Sequence, residues 1–328
     1  MRYITTVIVG AGLTGIMSAR TLKDKGYEVL LIDKGKSVGG RMATRRIDSG
    51  KVDHGAQFFT VRNERFHSEV DQWLKQGFVK RWFGESHPRY MSPGGMNALA
   101  KTLAKDLPVQ LKTEISQIEQ QRDGYIVRST TGEEIKTKTI ILTIPAPQAE
   151  ALLINSKIEI NETEMEKLKH ITFNPCFVGL FKLSDKPELP ENGHLDQGLP
   201  EGMMRIVDHY KKGISDERTV SVYMTGQWSK EYNDETSEHV LNHMINLSKD
   251  YFDRQSILSQ QLKRWRYAEA VQFLKEPYLE MSRDNRVILA GDAFLSNEDP
   301  ATHTRLESAF ISGVLAAEHL AQMLTHKW

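Results

Sequence analysis

The period of apolar and polar positions changes several times along the chain, and each change predicts an element. Thr5-Thr6-Val7-Ile8-Val9 is β-branched and apolar without alternation, the pattern of a short strand covered on both faces, as in a parallel sheet. Gly10-Ala11-Gly12-Leu13-Thr14-Gly15 then opens a helix reaching about Lys25, which Gly26 ends, and Tyr27 to Ile32 is a second strand stopping at Asp33. Amphipathic spacing predicts helices over 66–76 and 96–105 and a strand over 109–112. A strand-rich stretch runs from Ile115 to Ile144, with Asp123-Gly124 as a hairpin turn. From Gln148 to about Glu280 the texture changes, with helices near Glu164 and Glu238 and strand-like runs over 176–183 and 219–225. Arg286 to Ala290 is again a short buried strand, Gly291-Asp292 stands at its carboxyl end, and 305–324 is a long apolar-striped helix. The expected fold class is α/β: a Rossmann-type dinucleotide-binding domain, with a parallel sheet plus a β-hairpin or meander, and an interleaved α+β substrate domain. Segments 1–60, 93–150 and 281–328 are expected in the first domain, 61–92 and 151–280 in the second.

Composition narrows the classes. Lys+Arg and Asp+Glu both total 43 in 328 residues, so the formal net charge is zero and no global field draws the chain to nucleic acid or an anionic membrane. At 39% hydrophobic and 26% charged there is material for a sizeable core. The only cysteine, Cys176, cannot form an internal disulfide, which fits a reducing compartment. The first apolar run stops at Gly10, too short for a membrane span and lacking a signal peptide's cleavage pattern, so a cytoplasmic location is expected.

Gly10, Gly12 and Gly15 match G-x-G-x-x-G, in which the glycines permit a tight turn, backbone approach to a pyrophosphate, and close helix–strand packing. Asp33 lies 18 residues beyond Gly15, where a carboxylate can accept ribose hydroxyls. Ala11, Leu13, Thr14 and Lys34 belong to the same loops, and Ile115 is placed with them. The fingerprint alone does not separate FAD from NAD. Gly39-Gly40-Arg41 adds a second close-approach loop and a guanidinium able to pair bidentately with phosphate, while Arg45 and Arg46 fit exposed positions. Asp292 stands where ligands of open α/β sheets bind and can hydrogen-bond a cofactor hydroxyl. The helix beginning near Leu306-Glu307-Ser308-Ala309 would turn its N-terminus to a flavin's N1–C2=O edge; Glu307 fits equally a carboxylate that complements the helix dipole.

Several segments carry a resemblance: Val9 to Gly15, Val38-Gly39-Gly40-Arg41-Met42-Ala43-Thr44-Arg45, Asp53-His54-Gly55-Ala56-Gln57-Phe58-Phe59-Thr60, Pro93-Gly94-Gly95-Met96, Arg264-Trp265-Arg266-Tyr267-Ala268, Gly291-Asp292-Ala293-Phe294 and Glu307 to Gly313. Together they resemble the renalase family within the amine-oxidase-like FAD proteins, along most of the chain. The resemblance implies that Gly10, Gly12, Gly15, Asp33, Gly40, Arg41 and Met42 hold the dinucleotide of FAD, that Gln57 and Phe58 lie against the flavin, with Ala56 also on the cofactor, and that Asp292 and Glu307 to Ala309 face its ribityl and pyrimidine side. It implies oxidation of 2-dihydro and 6-dihydro isomers of NAD(P)H to NAD(P)+, with flavin N5 as hydride acceptor and electrons passed to oxygen, yielding hydrogen peroxide. Residues 187–213 match no motif of the family, and substrate choice is expected there.

Hydride loss from a dihydropyridine restores aromaticity and needs no strong base, so positioning should dominate. A pocket with few charged groups and aromatic walls is expected, with Gln57, Phe59, Tyr223, Trp228, Trp265 and Tyr267 as candidates; core packing competes with ligand contact for each aromatic. Trp265 and Tyr267 are two apart and would share one face of a strand. No Ser–His–Asp arrangement, metal-ligand cluster or Walker loop is present, and the histidines are scattered. Cys176 lies far in sequence from the C-terminal helix, whereas monoamine oxidases that tether FAD do so near that region, so non-covalent FAD is expected. The expected partners are a small-molecule substrate and oxygen, with no nucleic acid and no membrane; oligomeric state has no sequence signal. An amine oxidase acting on a small amine, a desaturase or porphyrinogen oxidase, and a flavin-binding protein without turnover are the alternatives.

Overall fold

The computed structural model describes residues 2–325. An eight-stranded sheet runs Leu279–Glu280, Val287–Leu289, Glu134–Leu142, Arg2–Val9, Val29–Ile32, Val109–Gln110, with Gly124–Ser129 and Ile115–Gln121 added as a hairpin. Arg2–Val9 pairs in parallel with Glu134–Leu142 and Val29–Ile32, and the carboxyl half of Glu134–Leu142 pairs in parallel with Val287–Leu289. The amino half of Glu134–Leu142 pairs antiparallel with Gly124–Ser129, so one strand serves both the parallel sheet and the hairpin.

Unbroken apolar strands make sense because both faces are covered. Ile8, Leu31, Ile141 and Ile288 join one core with the helices Leu13–Asp24 and Leu306–Thr325. Val7, Val9, Leu30, Ile140 and Leu289 join the other core, with the helix Ala146–Ile154. The period of two along each strand divides its residues between these cores. The two long helices touch at small residues: Ser18 Oγ donates to the Gly313 carbonyl at 2.9 Å, and a Cβ on Gly313 would sit 2.4 Å from the Thr14 oxygen.

A second, antiparallel sheet is ordered His194–Leu195, Met203–Asp208, Thr219–Met224, Thr172–Leu183, Ile257–Gln272. Its outer face carries Phe177, Val220, Val222 and Met224 against the helix Ser237–Leu247. Its inner face carries Cys176, Val178, Leu180 and Tyr223 against Ile47 and Val52 of the hairpin Thr44–Ile47 and Gly50–Asp53. That hairpin therefore ties the chain just past the Gly-Gly-Arg loop to the second sheet.

The expected elements fall close to their places, and among the additions are the hairpin over 44–53, a two-stranded ribbon of Lys80–Phe83 and Arg89–Met91, the strand Met203–Asp208 and the 16-residue strand Ile257–Gln272. The strand expected over 109–112 is only Val109–Gln110. Among the described residues, no helix is long and apolar enough to cross a membrane.

Candidate active site

Loops at the carboxyl ends of the parallel strands converge at one edge of the large sheet, where ligands of open α/β folds bind. Gly12 starts the helix Leu13–Asp24 without a side-chain cap, so N–H groups at its head lack an intrahelical partner. A Cβ on Gly12 would meet nothing within 4 Å, whereas one on Gly15 would lie 2.0 Å from the Gly10 carbonyl oxygen. The first glycine thus faces open space and the second closes the turn. Asp33 accepts the Ala11 N–H at 2.7 Å, which fixes its carboxylate over the loop, and Thr113 N–H donates to the Asp33 carbonyl at 3.0 Å, which brings the approach to Ile115 alongside. Lys34 pairs instead with exposed Glu114 at 3.2 Å.

The Gly-Gly-Arg loop comes onto this cradle: Gly39 N–H donates to the Ala11 carbonyl at 2.7 Å, and Gly40, with φ +51°, places its Cβ position 3.3 Å from Gly12 Cα. Met42 is buried in the core under the loop. Arg41 forms a bidentate ion pair with Asp292, and its Nη1 also donates to the Ala268 carbonyl at 3.2 Å. Gly291 N–H donates to Ser312 Oγ at 3.0 Å, which seats Asp292 beside the C-terminal helix. An open glycine cradle, uncapped helix N–H groups and a fixed carboxylate are groups a dinucleotide needs, and they fit FAD; Arg41, expected to pair with its pyrophosphate, and Asp292, expected on a cofactor hydroxyl, are instead engaged with each other.

The segment from Asp53 to Phe58 hangs on the same loop. His54 N–H donates to Ala43 O at 3.0 Å and Ala56 N–H to Arg41 O at 2.8 Å; a side chain at Gly55 would collide with the Arg41 carbonyl. Asp53 is fully buried; Oδ1 accepts the Met96 N–H at 3.0 Å at the start of the helix Met96–Leu103, and Oδ2 accepts Lys212 Nζ at 2.7 Å. Lys212, 2% exposed, also donates to Gln57 O at 2.7 Å and Gln57 Oε1 at 2.8 Å. Gln57 Nε2 donates to the Asp53 carbonyl at 2.7 Å and to the Tyr223 hydroxyl, which donates in turn to the Gly55 carbonyl at 3.0 Å. Burial lowers the Lys212 pKa from its ordinary value, opposed by the Asp53 carboxylate. Burial likewise raises that of Tyr223, which keeps its proton. Every polar group of this knot is paired, so the knot fixes geometry.

Beside it, Phe58 meets Trp82, Phe83 and His194 at centroid distances of 6.2, 5.9 and 5.6 Å. The guanidiniums of Arg205 and Arg89 lie 5.1 and 5.7 Å from the Phe58 centroid, and Lys212 Nζ is 4.8 Å from that of Trp82. Burial, then Arg205, Arg89 and Lys212, hold His194 down to about 4, with Asp196 opposing. Three cations thus stand among the aromatic rings around Phe58, the residue expected against the flavin. Trp82, Phe83, Arg89, His194, Arg205 and Lys212 were not visible as site residues; three of them fall in 187–213, the stretch without a motif, and only the folding of the second sheet brings them to Phe58.

Other expectations are corrected by packing. Trp228 belongs to the core on the outer face of the second sheet, stacked on Tyr232 at 4.1 Å, opposite the face that carries Tyr223. Phe59 is buried against Phe66, Trp73 and Tyr90, in the core of the large sheet. Trp265 does reach the junction: its ring stacks on His54 at 5.4 Å and Nε1 donates to the His54 carbonyl at 2.6 Å. Tyr267 does not share its face, because Cys176 pairs with Trp265 and Asn174 with Glu269, so the strand bulges between. Ala268 then joins Trp265 on the inner face, while Tyr267 packs edge-on against Phe173. Glu307, expected to face the flavin or simply the helix dipole, is buried and accepts N–H groups from Arg62 and, more closely, Asn63; Ser308 Oγ accepts from Arg305 N–H at 3.2 Å. Of the turn 307–309, backbone groups rather than the Glu307 side chain are left for a ligand. Burial pushes the Cys176 thiol up to about 12, which makes it inert.

Comparison with known proteins agrees with this geometry. The family model for NAD(P)-binding Rossmann-like domains matches residues 8–73, and that for flavin containing amine oxidoreductases matches 72–321. Renalase from Mus musculus is 29% identical over 198 residues, 53% of this chain and 57% of that protein. Putrescine oxidase from Kocuria rosea is 32% identical over 89 residues, 27% of this chain and 18% of that protein. The matches thus span little more than half of the first relative's length and less of the second's. Among solved structures, cyclohexylamine oxidase from Brevibacterium oxydans superposes with a TM-score of 0.68 at 12% identity, over 98% of this chain and all of its own, a likeness of fold. With the family model covering most of the chain and a cradle shaped for a dinucleotide beneath it, the chain belongs to the flavin-containing amine oxidoreductase family and is an FAD-dependent oxidoreductase.

Proposed function

We propose that the protein is an oxidase of the renalase type. It takes a hydride from the 2-dihydro or 6-dihydro isomer of NAD(P)H, releases NAD(P)+ and, with a proton from solvent, passes the electron pair to oxygen as hydrogen peroxide. Bound FAD supplies the hydride acceptor at N5 and the route to oxygen. The chain's part is to position: the Asp53–Lys212–Gln57–Tyr223 knot holds Gln57 and Phe58 rigidly, and no side chain in it is free to act as a base. Residues 1–60, 93–150 and 281–328 are assigned to the FAD side and 61–92 and 151–280 to the substrate side, with the hairpin over 44–53 bridging them.

The observation that carries this reading is the character of the nest at Phe58, where aromatic rings are accompanied by Arg89 and Arg205. A flat, phosphate-bearing dihydropyridine suits such walls; an alkylammonium would be repelled by them. The partial similarity to mouse renalase supports the same choice. A second reading, oxidation of a small amine, is supported by the family model. Peroxide release in air decides between them: the dihydronicotinamide isomers are expected to give one peroxide per NAD(P)+ and amines none. Peroxide from amines alone would establish the second reading.

A further inference from the structure

The nest holds an imbalance that the flavin-side knot does not. Lys212 is neutralised by Asp53 at 2.7 Å, but among the described residues Arg205 and Arg89 each leave a buried Nε without a hydrogen-bond partner, and so does His194 at Nε2. Arg89 Nη1 donates to the His87 carbonyl at 3.0 Å. The acidic group facing the nest is Asp196, 3.8 Å from His194 Nε2, against the three cations that act on that imidazole. His194 is 6% exposed and sits between Trp82 and Phe83, at 5.6 and 4.9 Å. Unpaired buried nitrogens of two guanidiniums and an imidazole, on three separate strand segments around Phe58, are costly unless something else pairs with these groups.

We propose that Arg205, Arg89 and His194 form an anion subsite that receives the phosphate arm of the substrate, with Phe58, Trp82 and Phe83 walling the flat part of the molecule. This rests on the dihydronicotinamide reading for the reacting end. The two guanidiniums lie 5.7 and 5.1 Å from the Phe58 centroid and come from separate strand segments, and donors arriving from different directions suit the tetrahedral oxygens of a phosphate better than a planar carboxylate. The neutral imidazole adds a donor without adding to the charge repulsion.

The test is equilibrium titration of the FAD-loaded enzyme with nicotinamide mononucleotide, nicotinamide riboside and inorganic diphosphate, followed by the flavin spectrum and by calorimetry. The mononucleotide is expected to bind about tenfold or more tightly than the riboside, the scale of one charge-assisted contact, and diphosphate to compete with it. Arg205→Gln should shrink that gap to about twofold without weakening the riboside, and Arg205→Lys should restore part of it. Arg89→Gln, on a separate ribbon, gives the same comparison should Arg205→Gln not retain FAD. Equal binding of mononucleotide and riboside by the wild type, or a gap unchanged in the variants, would overturn the subsite. These outcomes are independent of turnover: a gap that responds to Arg205 in a protein no dihydronicotinamide isomer reduces leaves the subsite standing and removes the oxidase reading instead.

Discussion

At the scale of single residues, the buried pair of Lys212 and Asp53 is the feature with the largest consequence, because each ion is out of water and held by the other. Lys212→Met strands the Asp53 carboxylate and should cost on the order of 3–5 kcal/mol in denaturant unfolding, whereas Asp53→Asn combined with Lys212→Met should recover part of the loss. A single variant as stable as wild type would refute this account of the knot. Gly15→Ala is expected to yield folded protein nearly free of flavin, measured as the ratio of flavin to protein absorbance, since its Cβ would lie 2.0 Å from the Gly10 oxygen. Full flavin content would show that the loop yields more easily than its geometry implies. The glycine turn and the place of Asp33 beside it were legible in the sequence because such loops constrain local spacing, unlike the pairing of Arg41 with Asp292, 251 residues away. Lys212 was not: its partner lies 159 residues away, and a lone lysine carries no local pattern.

At the scale of elements, apolar runs and turn residues located the parallel strands and the helices 64–75 and 306–325 to within a few residues, since each is set by its own period. The strand Ile257–Gln272 was harder to read because its polar and apolar residues do not alternate cleanly, and its bulge between Trp265 and Glu269 breaks the rule that put Tyr267 beside Trp265. That bulge brings the Ala268 carbonyl to Arg41, so local irregularity serves the junction. The inner face of this sheet also sets a pH response. Burial, with Lys263 and Arg45, holds His54 down to about 4, and His194 is held there by burial and its cations. Both remain neutral when folded and charge in the unfolded chain near 6.5, so their contribution is complete above that pH and is lost as pH falls from about 6.5 toward 4. Unfolding midpoints should drop across that window, and His54→Phe, which keeps the stack on Trp265, should flatten the drop; an unchanged profile would mean that His54 protonates freely in the folded protein.

At the scale of the whole molecule, the edge proposed to hold the dinucleotide is built from both ends of the chain, with Arg41 linking Asp292, just past the strand Val287–Leu289, to Ala268 of the second sheet. Removing FAD should therefore lower the melting temperature, and adding it back should restore stability by about 4 kcal/mol at a thousandfold excess over its dissociation constant. An apoprotein melting with the holoenzyme would show that the cradle is held without its ligand. The class of enzyme was legible from the loops; the character of the substrate site was not, because Arg89, His194 and Arg205 become neighbours only when the ribbon and the second sheet meet at Phe58. The most direct test of the proposed function is anaerobic mixing of the holoenzyme with the 2-dihydro and 6-dihydro isomers of NAD(P)H and, separately, with small amines, following flavin absorbance near ~450 nm, a wavelength set by the cofactor's own electronics. Rapid bleaching by a dihydronicotinamide isomer, with NAD(P)+ released and colour restored by air, is the predicted result; bleaching by amines alone, or by neither, would contradict it.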